Sequence, residues 1–561
     1  MKSINKLLQL LLWATACLPF TPAQGQPFSQ EILSPNEETD GRFGRSVAGV
    51  GGDVNGDGVP DVIVGAYQED PDNSLAAAGR AYIMSGADGS LIHPLITPNP
   101  DFAGWFGFSV AGVGGDVNAD SVPDVLVGAP LEVIGPDMGT AYLMSGADGS
   151  VIHTLLAPAS PAGGINNEFG TSVAGIGGDV NGDGVPDVIV GSRHHPTDSV
   201  GIPNAAGRAY IMSGADGSIL HTLFSPNSED AGFFGYASVA GTGGDLNGDG
   251  VPDVIVGAYL EDPDANLTDA GRAYVMSGAD GSLIHTLTSP NPVQNGRFGS
   301  AVAAIGGDIN EDGIPDLMVS AIHETLAGSP NRAGLTYLMS GADGSVLHTL
   351  SSPNERIDGR FGGSVAGLGD DLDADGVMDV IVGAWREWGD DGTNNSGRVY
   401  VISGADGSVL QSLVSPNPQF DGQFGISVGA LGGDAHGDGL PDIVVGAHNE
   451  DHNNSPFLAG RAYVMGSENT ATSIAQPQAS PGTWLRVAPN PFSQQTTLSL
   501  SDFSGTPVAY QILTLTGRRV AAGTLSEPAT TIGRDLPPGL YFATFRRADG
   551  QQETVKLVKA E

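Results

Sequence analysis

The chain has almost no cysteine and no long apolar run. Among its 561 residues the single cysteine is Cys17, close to the N-terminus. Because a disulfide needs two cysteines, we expect no disulfide, and stability must come from packing and bound ions. Beyond the first 25 residues, no apolar stretch reaches the roughly 20 residues of a membrane-spanning helix, so the sequence predicts no transmembrane segment.

Basic residues are scarce as well. The chain has 23 Lys and Arg against 64 Asp and Glu, a formal net charge of −41 at pH 7. Nucleic-acid phosphates and anionic membrane surfaces both need basic partners. This charge therefore argues against either of them as a ligand.

The first 25 residues are typical of a secretory signal peptide. Lys2 and Lys6 provide the positive start, residues 7–18 are mostly apolar, and Ala23-Gln24-Gly25 offers small residues for cleavage. We therefore expect the protein to be exported. The segment that ends at Cys17 leaves lipidation open as an alternative.

One nine-residue phrase, Asp-x-Asn-x-Asp-Gly-x-Pro-Asp, recurs seven times with few departures. Its copies are 63 residues apart, except for one step of 66. A fixed period of this length indicates a repeat architecture, in which each repeat is one supersecondary unit. The copies begin at Asp53, Asp116, Asp179, Asp245, Asp308, Asp371 and Asp434.

Each repeat predicts four short β-strands and no helix. In the first repeat, residues 46–51, 61–66, 79–86 and 91–97 are short apolar runs separated by turn residues. The Ala-Asp-Gly turn at 87–89 favours a hairpin between the last two runs. The second run is apolar on both faces, as expected for a sheet packed between two neighbouring sheets.

The seventh repeat ends without its fourth strand. Residues 30–36 (Gln-Glu-Ile-Leu-Ser-Pro-Asn) match residues 411–417 (Gln-Ser-Leu-Val-Ser-Pro-Asn), so the missing strand stands near the N-terminus. The predicted fold class is therefore all-β. Residues 26–466 are expected to form a seven-bladed β-propeller of four-stranded antiparallel blades, closed by the N-terminal strand.

The repeated phrase places oxygen ligands at alternate positions of a tight loop. In the first copy, Asp53, Asn55 and Asp57 occupy positions 1, 3 and 5, the carbonyl of Val59 occupies position 7, and Asp61 occupies position 9. Ca²⁺ takes about six to eight oxygen ligands in flexible geometry, whereas Mg²⁺ needs a tighter octahedron, so Ca²⁺ fits better. An EF-hand is excluded, because position 12 is an apolar strand residue. For a single copy, a plain turn without metal would explain the same residues.

The seven copies predict up to seven Ca²⁺ sites, of which the second and seventh are weaker. Ser121 replaces the glycine of loop 2, where a left-handed turn is costly, and His436 of loop 7 is a poor ligand for a hard cation. Loop 6 has Asp373 at position 3 and therefore four carboxylates. The other predicted ligands are Asp116, Asn118, Asp120, Val122 and Asp124; Asp179, Asn181, Asp183, Val185 and Asp187; Asp245, Asn247, Asp249, Val251 and Asp253; Asp308, Asn310, Asp312, Ile314 and Asp316; Asp371, Asp375, Val377 and Asp379; and Asp434, Asp438, Leu440 and Asp442.

A Phe-Gly pair precedes every acidic phrase, and Gly-Ala-Pro follows the second phrase at 128–130. This pattern resembles the FG-GAP repeats of the integrin α-subunit propeller. The resemblance implies a propeller with Ca²⁺ loops and with ligand binding at the opposite face. The pairs begin at Phe43, Phe106, Phe169, Phe234, Phe298, Phe361 and Phe424.

Residues that break the repeat are the candidates for ligand binding, because binding sites favour variable loops on a rigid scaffold. The loop after the second strand varies most, and from it we select Tyr67, Tyr259, Trp385 and Trp388. Aromatic rings of this kind stack on sugars or anchor proteins. A local hydrophobic plug is the alternative.

The chain changes character after residue 466. Residues 467–483 are a polar linker rich in Pro, Ser and Thr, and the short alternating runs of residues 484–561 predict a small C-terminal β-sandwich. This segment resembles the C-terminal sorting domain of type IX secretion substrates, which implies the type IX secretion machinery as a partner and export across the outer membrane. The motifs that carry the resemblance lie at 487–491, 510–520, 536–541 and 556–559.

The expected function is that of a secreted or cell-surface, Ca²⁺-stabilised module for binding or adhesion to a protein or glycan. Two alternatives stay open: an extracellular polysaccharide-active enzyme of the lyase type, and a purely structural surface-layer protein. An enzyme would need a unique polar cluster, for which only Arg193, His194, His195 and the Trp385 loop are available. The repeats provide no nucleophile–base pair, so we expect no enzymatic activity.

Overall fold

The computed structural model is all-β throughout the residues that it describes. These are 28–70, 76–134, 137–158, 166–193, 205–264, 266–390, 392–451 and 457–467, and, further on, 485–488, 496–500, 508–514, 518–525, 529–532, 534, 536–537, 539–546 and 552–559. None of them is helical, so this part of the chain has no helix able to cross a membrane. Contacts divide the chain into two compact units, Met1–Ala471 and Thr472–Glu561.

The first unit contains one set of four antiparallel strands, or sheet, for each repeat, as the sequence predicts, and a short parallel pairing between the sheets of the second and third repeats joins these two into one eight-stranded sheet. The first three are β2–β5 (Phe43–Gly49, Val62–Ala66, Arg80–Met84, Leu91–Leu95), β6–β9 (Ser109–Gly112, Val125–Ile134, Asp137–Met144, Val151–Leu155) and β10–β13 (Asn166–Gly175, Val188–Ser192, Arg208–Met212, Ile219–Leu223). The next three are β14–β17 (Val239–Gly241, Val254–Ala258, Arg272–Met276, Leu283–Leu287), β18–β21 (Phe298–Ala304, Leu317–Ala321, Leu335–Met339, Val346–Ser351) and β22–β25 (Ser364–Gly367, Val380–Ala384, Arg398–Ile402, Val409–Val414).

The sheet of the seventh repeat takes strands from both ends of the region. It consists of β26 (Ser427–Ala430), β27 (Ile443–Ala447), β28 (Arg461–Met465) and, from the N-terminus, β1 (Ser29–Ile32). β1 pairs antiparallel with β28, with Ile32 opposite Ala462. The segment that the sequence matched to a fourth strand therefore occupies the fourth-strand position.

The glycines of the repeated motifs lie where neighbouring sheets touch. A Cβ on Gly65, in β3, would lie 2.0 Å from the carbonyl oxygen of Gly107, which precedes the first strand of the next sheet. Any side chain at this position would overlap backbone, so only glycine permits the approach. The same relation holds between Gly446 of the seventh sheet and Gly44 of the first, again at 2.0 Å. The Phe-Gly and Gly-Ala elements therefore form one packing contact between sheets.

The core lies between sheets rather than within one. One cluster combines Ile32 and Val464 of the seventh sheet with Phe43, Val64 and Tyr82 of the first, all almost fully buried. Equivalent clusters lie between the other consecutive pairs of sheets. Each second strand is buried on both faces, which explains its unbroken apolar sequence.

A buried glutamate that the sequence analysis did not select also links neighbouring sheets. Glu132 accepts hydrogen bonds from Thr97 Oγ1, just after the first sheet, at 2.6 Å and from the Tyr142 hydroxyl of its own sheet at 2.9 Å. The equivalent buried glutamates of other repeats are Glu69, Glu261, Glu324, Glu387 and Glu450. Burial raises the pKa of glutamates at this position. Glu69, which accepts hydrogen bonds from Ser34 and Tyr82, has its pKa raised to about 8.

The second unit contains two antiparallel sheets. One is formed by β29 (Leu485–Ala488), β30 (Thr496–Leu500) and β33 (Ala529–Ile532). The other is formed by β31 (Val508–Thr514), β32 (Arg519–Leu525), β34 (Gly539–Arg546) and β35 (Gln552–Lys559). Val508, Ile512 and Ala543 are buried in this unit. The predicted signal peptide at 1–25 and residues 468–483 of the predicted linker lie outside the described residues.

Candidate cation loops and ligand face

Every acidic phrase folds into the same loop between the first and second strands of its sheet. In the first loop, the Gly58 amide donates to Asp53 Oδ2 at 2.6 Å, and the Val59 amide donates to Asp57 Oδ1 at 2.8 Å. The corresponding bonds recur in the other six loops at 2.6–2.9 Å. Donation from Gly58, together with weaker amide bonds, holds the pKa of Asp53 below its usual range. The loop backbone thus orients carboxylates that remain ionised.

The carboxylate at position 9 lies beneath each loop. Asp61 is fully buried, and its two oxygens accept hydrogen bonds from the amides of Val54 at 2.8 Å and Gly86 at 3.1 Å. Burial raises the pKa of this group, most clearly in loop 6, where the pKa of Asp379 reaches about 7. The charges of Asp373 and Asp371 add to that rise. A cation in the loop would relieve both the burial and the repulsion.

The donor set of loops 1 to 6 fits Ca²⁺. In loop 6, Asp371, Asp373 and Asp375 each bring a carboxylate oxygen within 4.8 Å of the other two. Loops 1, 3, 4 and 5 have Asn at position 3, where loop 6 has Asp373. The side-chain oxygen of this Asn accepts a hydrogen bond from the backbone amide of position 5. Carboxylate, amide and carbonyl oxygens are the ligands that Ca²⁺ prefers. Bound there, the ion would supply charge neutralisation and cross-link each loop to its sheet.

Loop 2 keeps this geometry with strained residues. Ser121 has φ 72° and Ala119 has φ 64°, the left-handed conformation that glycine adopts in loop 1. Each such residue costs about 1–2 kcal/mol relative to an unstrained one. Ser121 nevertheless donates its amide to Asp116 Oδ2 at 2.6 Å. The loop therefore forms, but at a cost that the other loops avoid at position 6.

Loop 7 contains an imidazole among its carboxylates. His436 Nδ1 lies 2.9 Å from Asp442 Oδ2, and His436 Nε2 lies 2.9 Å from Asp438 Oδ2. The ring thus occupies two of the oxygens that would bind the ion, and it brings nitrogen to an otherwise all-oxygen set. The donor set of loop 7 as arranged does not fit a hard cation.

The seventh sheet differs from the first at two positions near this ring. Gly466 stands where the first sheet has Ser85, and a Cβ on Gly466 would lie 3.0 Å from His436 Cε1. Ser467 stands where the first sheet has Gly86, and the amide of Gly86 donates a hydrogen bond to Asp61, the carboxylate at position 9. Asp442 Oδ1 is buried and has no hydrogen-bond partner among the described residues. Loop 7 therefore accommodates the histidine, which groups with Asp434 and Asp442 as three potential metal ligands.

The other end of the same strands surrounds a cavity of about 470 Å³. Its wall comes from the first strands of all seven sheets, and Arg45, Phe108, Tyr236 and Trp385 contribute the large side chains of the lining. Because the acidic loops follow these strands, the cavity mouth lies opposite the loops. Ile322 and Trp385, from loops that follow second strands, also line the cavity.

Aromatic side chains are grouped at two places around the mouth. Trp105 and Phe108 stack with centroids 5.6 Å apart, and Tyr67 contacts each ring edge-on at 5.4 Å. From another repeat, Phe233 stacks on Tyr259 at 6.0 Å and lies 5.4 Å from Tyr236. Tyr67 and Tyr259 therefore contact residues that line the cavity or their direct neighbours, although neither lines it itself.

The two tryptophans selected from the sequence have different surroundings. Trp385 lines the cavity, and the guanidinium of Arg386 lies 5.1 Å from its ring centroid. Trp388 is absent from the lining, is 39% exposed and has Arg356 over its ring at 5.0 Å.

Of the residues proposed for an enzyme, Arg193 pairs with Glu168 at 2.8 Å. His194 and His195 lie outside the described residues.

Comparison with known proteins supports the repeat assignment. The FG-GAP repeat family matches residues 43–84 and 237–276. Integrin alpha-5 of Xenopus laevis is 32% identical over 245 residues, which are 41% of this chain and 21% of that protein. Integrin alpha-IIb of Mus musculus is 37% identical over 176 residues, 30% of this chain and 16% of that protein. The chain thus spans about a fifth of the length of these relatives.

Among solved structures, PorZ, a surface component of the type-IX secretion system of Porphyromonas gingivalis, has a TM-score of 0.38 and 10% identity. The comparison covers 89% of this chain and 58% of that one. A TM-score this low supports no conclusion on fold or function. The sequence matches, in contrast, support an FG-GAP β-propeller, with repeats like those of integrin α subunits.

Proposed function

We propose that the chain is an extracellular binding module built on a closed, seven-bladed β-propeller. The pairing of β1 with β28 and the contact of Gly446 with Gly44 support closure, because both join the last repeat to the N-terminal end. The FG-GAP matches and the similarity to integrin α subunits support an extracellular binding role.

Divalent cations stabilise this module. We propose Ca²⁺ in loops 1 to 6, held by the oxygens at positions 1, 3, 5, 7 and 9, with weaker binding in loop 2. An ion that binds only the folded state adds to its stability by mass action. The donor chemistry of the loops and the raised pKa of Asp379 support this assignment.

The ligand, a glycan or a protein, binds at the cavity mouth. The observation that carries this proposal is the grouping of Tyr67, Tyr259 and Trp385, from three different repeats, around one cavity opposite the cation loops. Variable aromatic residues on a rigid scaffold are typical of recognition sites.

Export is part of the same proposal. Residues 1–25 would direct secretion, and residues 484–561 would act as a β-sandwich sorting domain for the type IX machinery, separated from the propeller by the linker at 467–483. The sequence motifs and the two antiparallel sheets of the second unit support this assignment. The protein would then be released or remain at the cell surface.

A glycan and extracellular-protein array probed with the full chain tests the function. We expect Trp385→Ala to abolish binding and Trp388→Ala to retain it, because of these two tryptophans only Trp385 lines the cavity. Binding to no probe would favour a structural surface role. Assays on polyuronates form a separate arm, in which bond cleavage would establish the lyase alternative instead.

A further inference from the structure

Arg45 is the single basic residue among those that line the cavity. Arg42 pairs with Asp40 at 2.6 Å and Arg360 with Asp358 at 2.8 Å. Within the described part of the chain, no carboxylate pairs with Arg45. In a protein with a net charge of −41, an unpaired guanidinium in a cavity is unexpected.

An aromatic ring holds the Arg45 side chain, and no described residue makes a hydrogen bond with its guanidinium. Its guanidinium lies 5.1 Å from the centroid of Phe108, and the residue is half-buried in the cavity wall. A cation–π contact uses the flat face of the group and leaves the N–H donors at its edge available. Burial also lowers the pKa of Arg45, so part of its hydration is lost without a compensating negative charge.

Three tyrosines of this face offer hydroxyl groups, which can donate hydrogen bonds as well as accept them. The hydroxyls of Tyr67, Tyr236 and Tyr259 make no hydrogen bond with any described residue. Burial raises the pKa of all three, that of Tyr259 to about 12, so they remain protonated donors at neutral pH. His448, whose Nδ1 is buried with no hydrogen-bond partner among the described residues, is kept neutral by burial and by the charges of Arg45 and Arg42.

We propose that the cavity binds the carboxylate of a uronic acid within an otherwise neutral glycan, with Arg45 as its charged partner. This inference rests on the proposed binding function and specifies its ligand. A guanidinium fork pairs with a carboxylate through two N–H donors, and the free phenols supply further donors to sugar oxygens. One cation in the cavity lining matches one carboxylate, and the acidity of the whole chain disfavours a polyanion.

The surrounding aromatic rings favour a sugar over an acidic peptide. The partly exposed ring of Trp105, stacked on Phe108, offers a flat apolar surface beside the donors, whereas the guanidinium groups of Arg193 and Arg297 lie over Phe233 and Tyr259. Such surfaces fit the apolar faces of pyranose rings. A cavity of about 470 Å³ is within the ordinary range for a small-ligand site.

Calorimetric titration of the full chain tests the proposal with a matched pair of sugars. The probe is xylotriose that carries a single glucuronic acid branch, and its partner is the same sugar with the carboxyl reduced to an alcohol. We expect the reduced sugar to bind about tenfold more weakly or worse, because a charged hydrogen bond is lost. The Arg45→Gln variant should bind the acidic sugar more weakly by the same factor. The Arg45→Lys variant should lose less affinity, since lysine keeps the positive charge but lacks the paired N–H donors of the guanidinium.

Arg360→Gln is the matched control, because Arg360 lies on the same face and already has a carboxylate partner. It should change affinity by less than about twofold. Equal affinity for the two sugars, or unchanged binding by Arg45→Gln, would overturn the inference while other ligands still bind. Arg45-dependent binding of a peptide with one Asp, but not of the sugar, would overturn the glycan assignment.

Absence of binding to every glycan and peptide tested would instead remove the proposed function itself. Melting curves of each variant check that it folds. If Arg45→Gln does not fold, the comparison of the two sugars on the unaltered chain still decides the question.

Discussion

The ring of Phe28 stacks on the imidazole of His436, with centroids 4.6 Å apart and planes inclined by 3°. Phe28 immediately precedes β1, whereas His436 belongs to the acidic loop of the seventh sheet. The stack therefore ties the N-terminal segment to the one loop whose carboxylates are bonded to a histidine. An aromatic contact between side chains therefore helps to hold together the sheet that is assembled from both ends of the region.

We predict that His436→Asn adds one Ca²⁺ site to the chain. Asparagine returns an oxygen to position 3 and frees Asp438 and Asp442 from the imidazole. Equilibrium dialysis with metal analysis should show about one more Ca²⁺ per chain, in line with one restored site. The converse variant Asn181→His, in loop 3, should lose one. An unchanged count in both variants would contradict the role assigned to position 3.

Removal of Ca²⁺ should lower the melting temperature substantially. Empty loops leave clustered carboxylates that repel one another, most of all the four of loop 6. Calorimetric scans with and without a chelator measure the change, and added Ca²⁺ should restore the original value. Identical melting in chelator would show that the loops are simple turns.

Replacing Ser121 by glycine should stabilise loop 2. The left-handed φ of 72° is strained for serine and not for glycine, so the free energy of unfolding should rise by up to about 1 kcal/mol. The gain is reduced by the greater freedom of glycine in the unfolded chain. Gly184→Ser, the reverse change in loop 3, should destabilise by a similar amount. Denaturant unfolding at saturating Ca²⁺ measures both, and a destabilising Ser121→Gly would contradict the strain.

The buried glutamates should make the protein less stable as the pH rises. The pKa of Glu69 is about 8 in the folded state against 4.5 as a reference, so the folded state binds the proton more tightly. The stabilisation that Glu69 gives to the folded state is complete below pH 4.5 and is lost as the pH rises through 8. Glu261, Glu324 and Glu450, each with a pKa of about 7, act in the same direction.

Glu69→Gln should therefore flatten the pH dependence. Each such group changes stability by up to about 1.4 kcal/mol per pH unit between its two pKa values, and glutamine removes one. Unfolding at pH 5 to 8 with constant Ca²⁺ measures the slope. Asp230→Asn, at an exposed position, is the control and should keep the original slope. A steeper slope in Glu69→Gln would refute the assigned sign.

Gly65→Ala should disrupt the packing of the first two sheets. The added Cβ would lie 2.0 Å from the carbonyl oxygen of Gly107, and backbone on both sides leaves little room to move. We expect a loss of about 3 kcal/mol or more, at the upper end for overpacking. Gly104→Ala is the control, because its Cβ would meet its nearest atom at an ordinary 3.4 Å. Equal melting of the two variants would show that the sheets do not depend on this approach.

The repeat period and local turn chemistry were enough to predict the strands and the loops. Four strands per repeat and the amide-bonded carboxylates of each phrase depend on residues close together in sequence, and seven copies reinforce each pattern. The similarity of residues 30–36 to 411–417 also predicted the strand that pairs with β28. These features are local or repeated, and a periodic sequence displays them directly.

Only the tertiary structure decided which unrepeated residues meet. Arg45, Tyr236 and Trp385 come from three repeats and share one cavity because their sheets surround it, whereas Trp388, three residues from Trp385, does not reach it. Packing across sheets likewise brings Phe28 and Gly466 to His436 and places Thr97 on Glu132. Such contacts depend on the neighbour that each sheet packs against, a relation that no period in the sequence expresses.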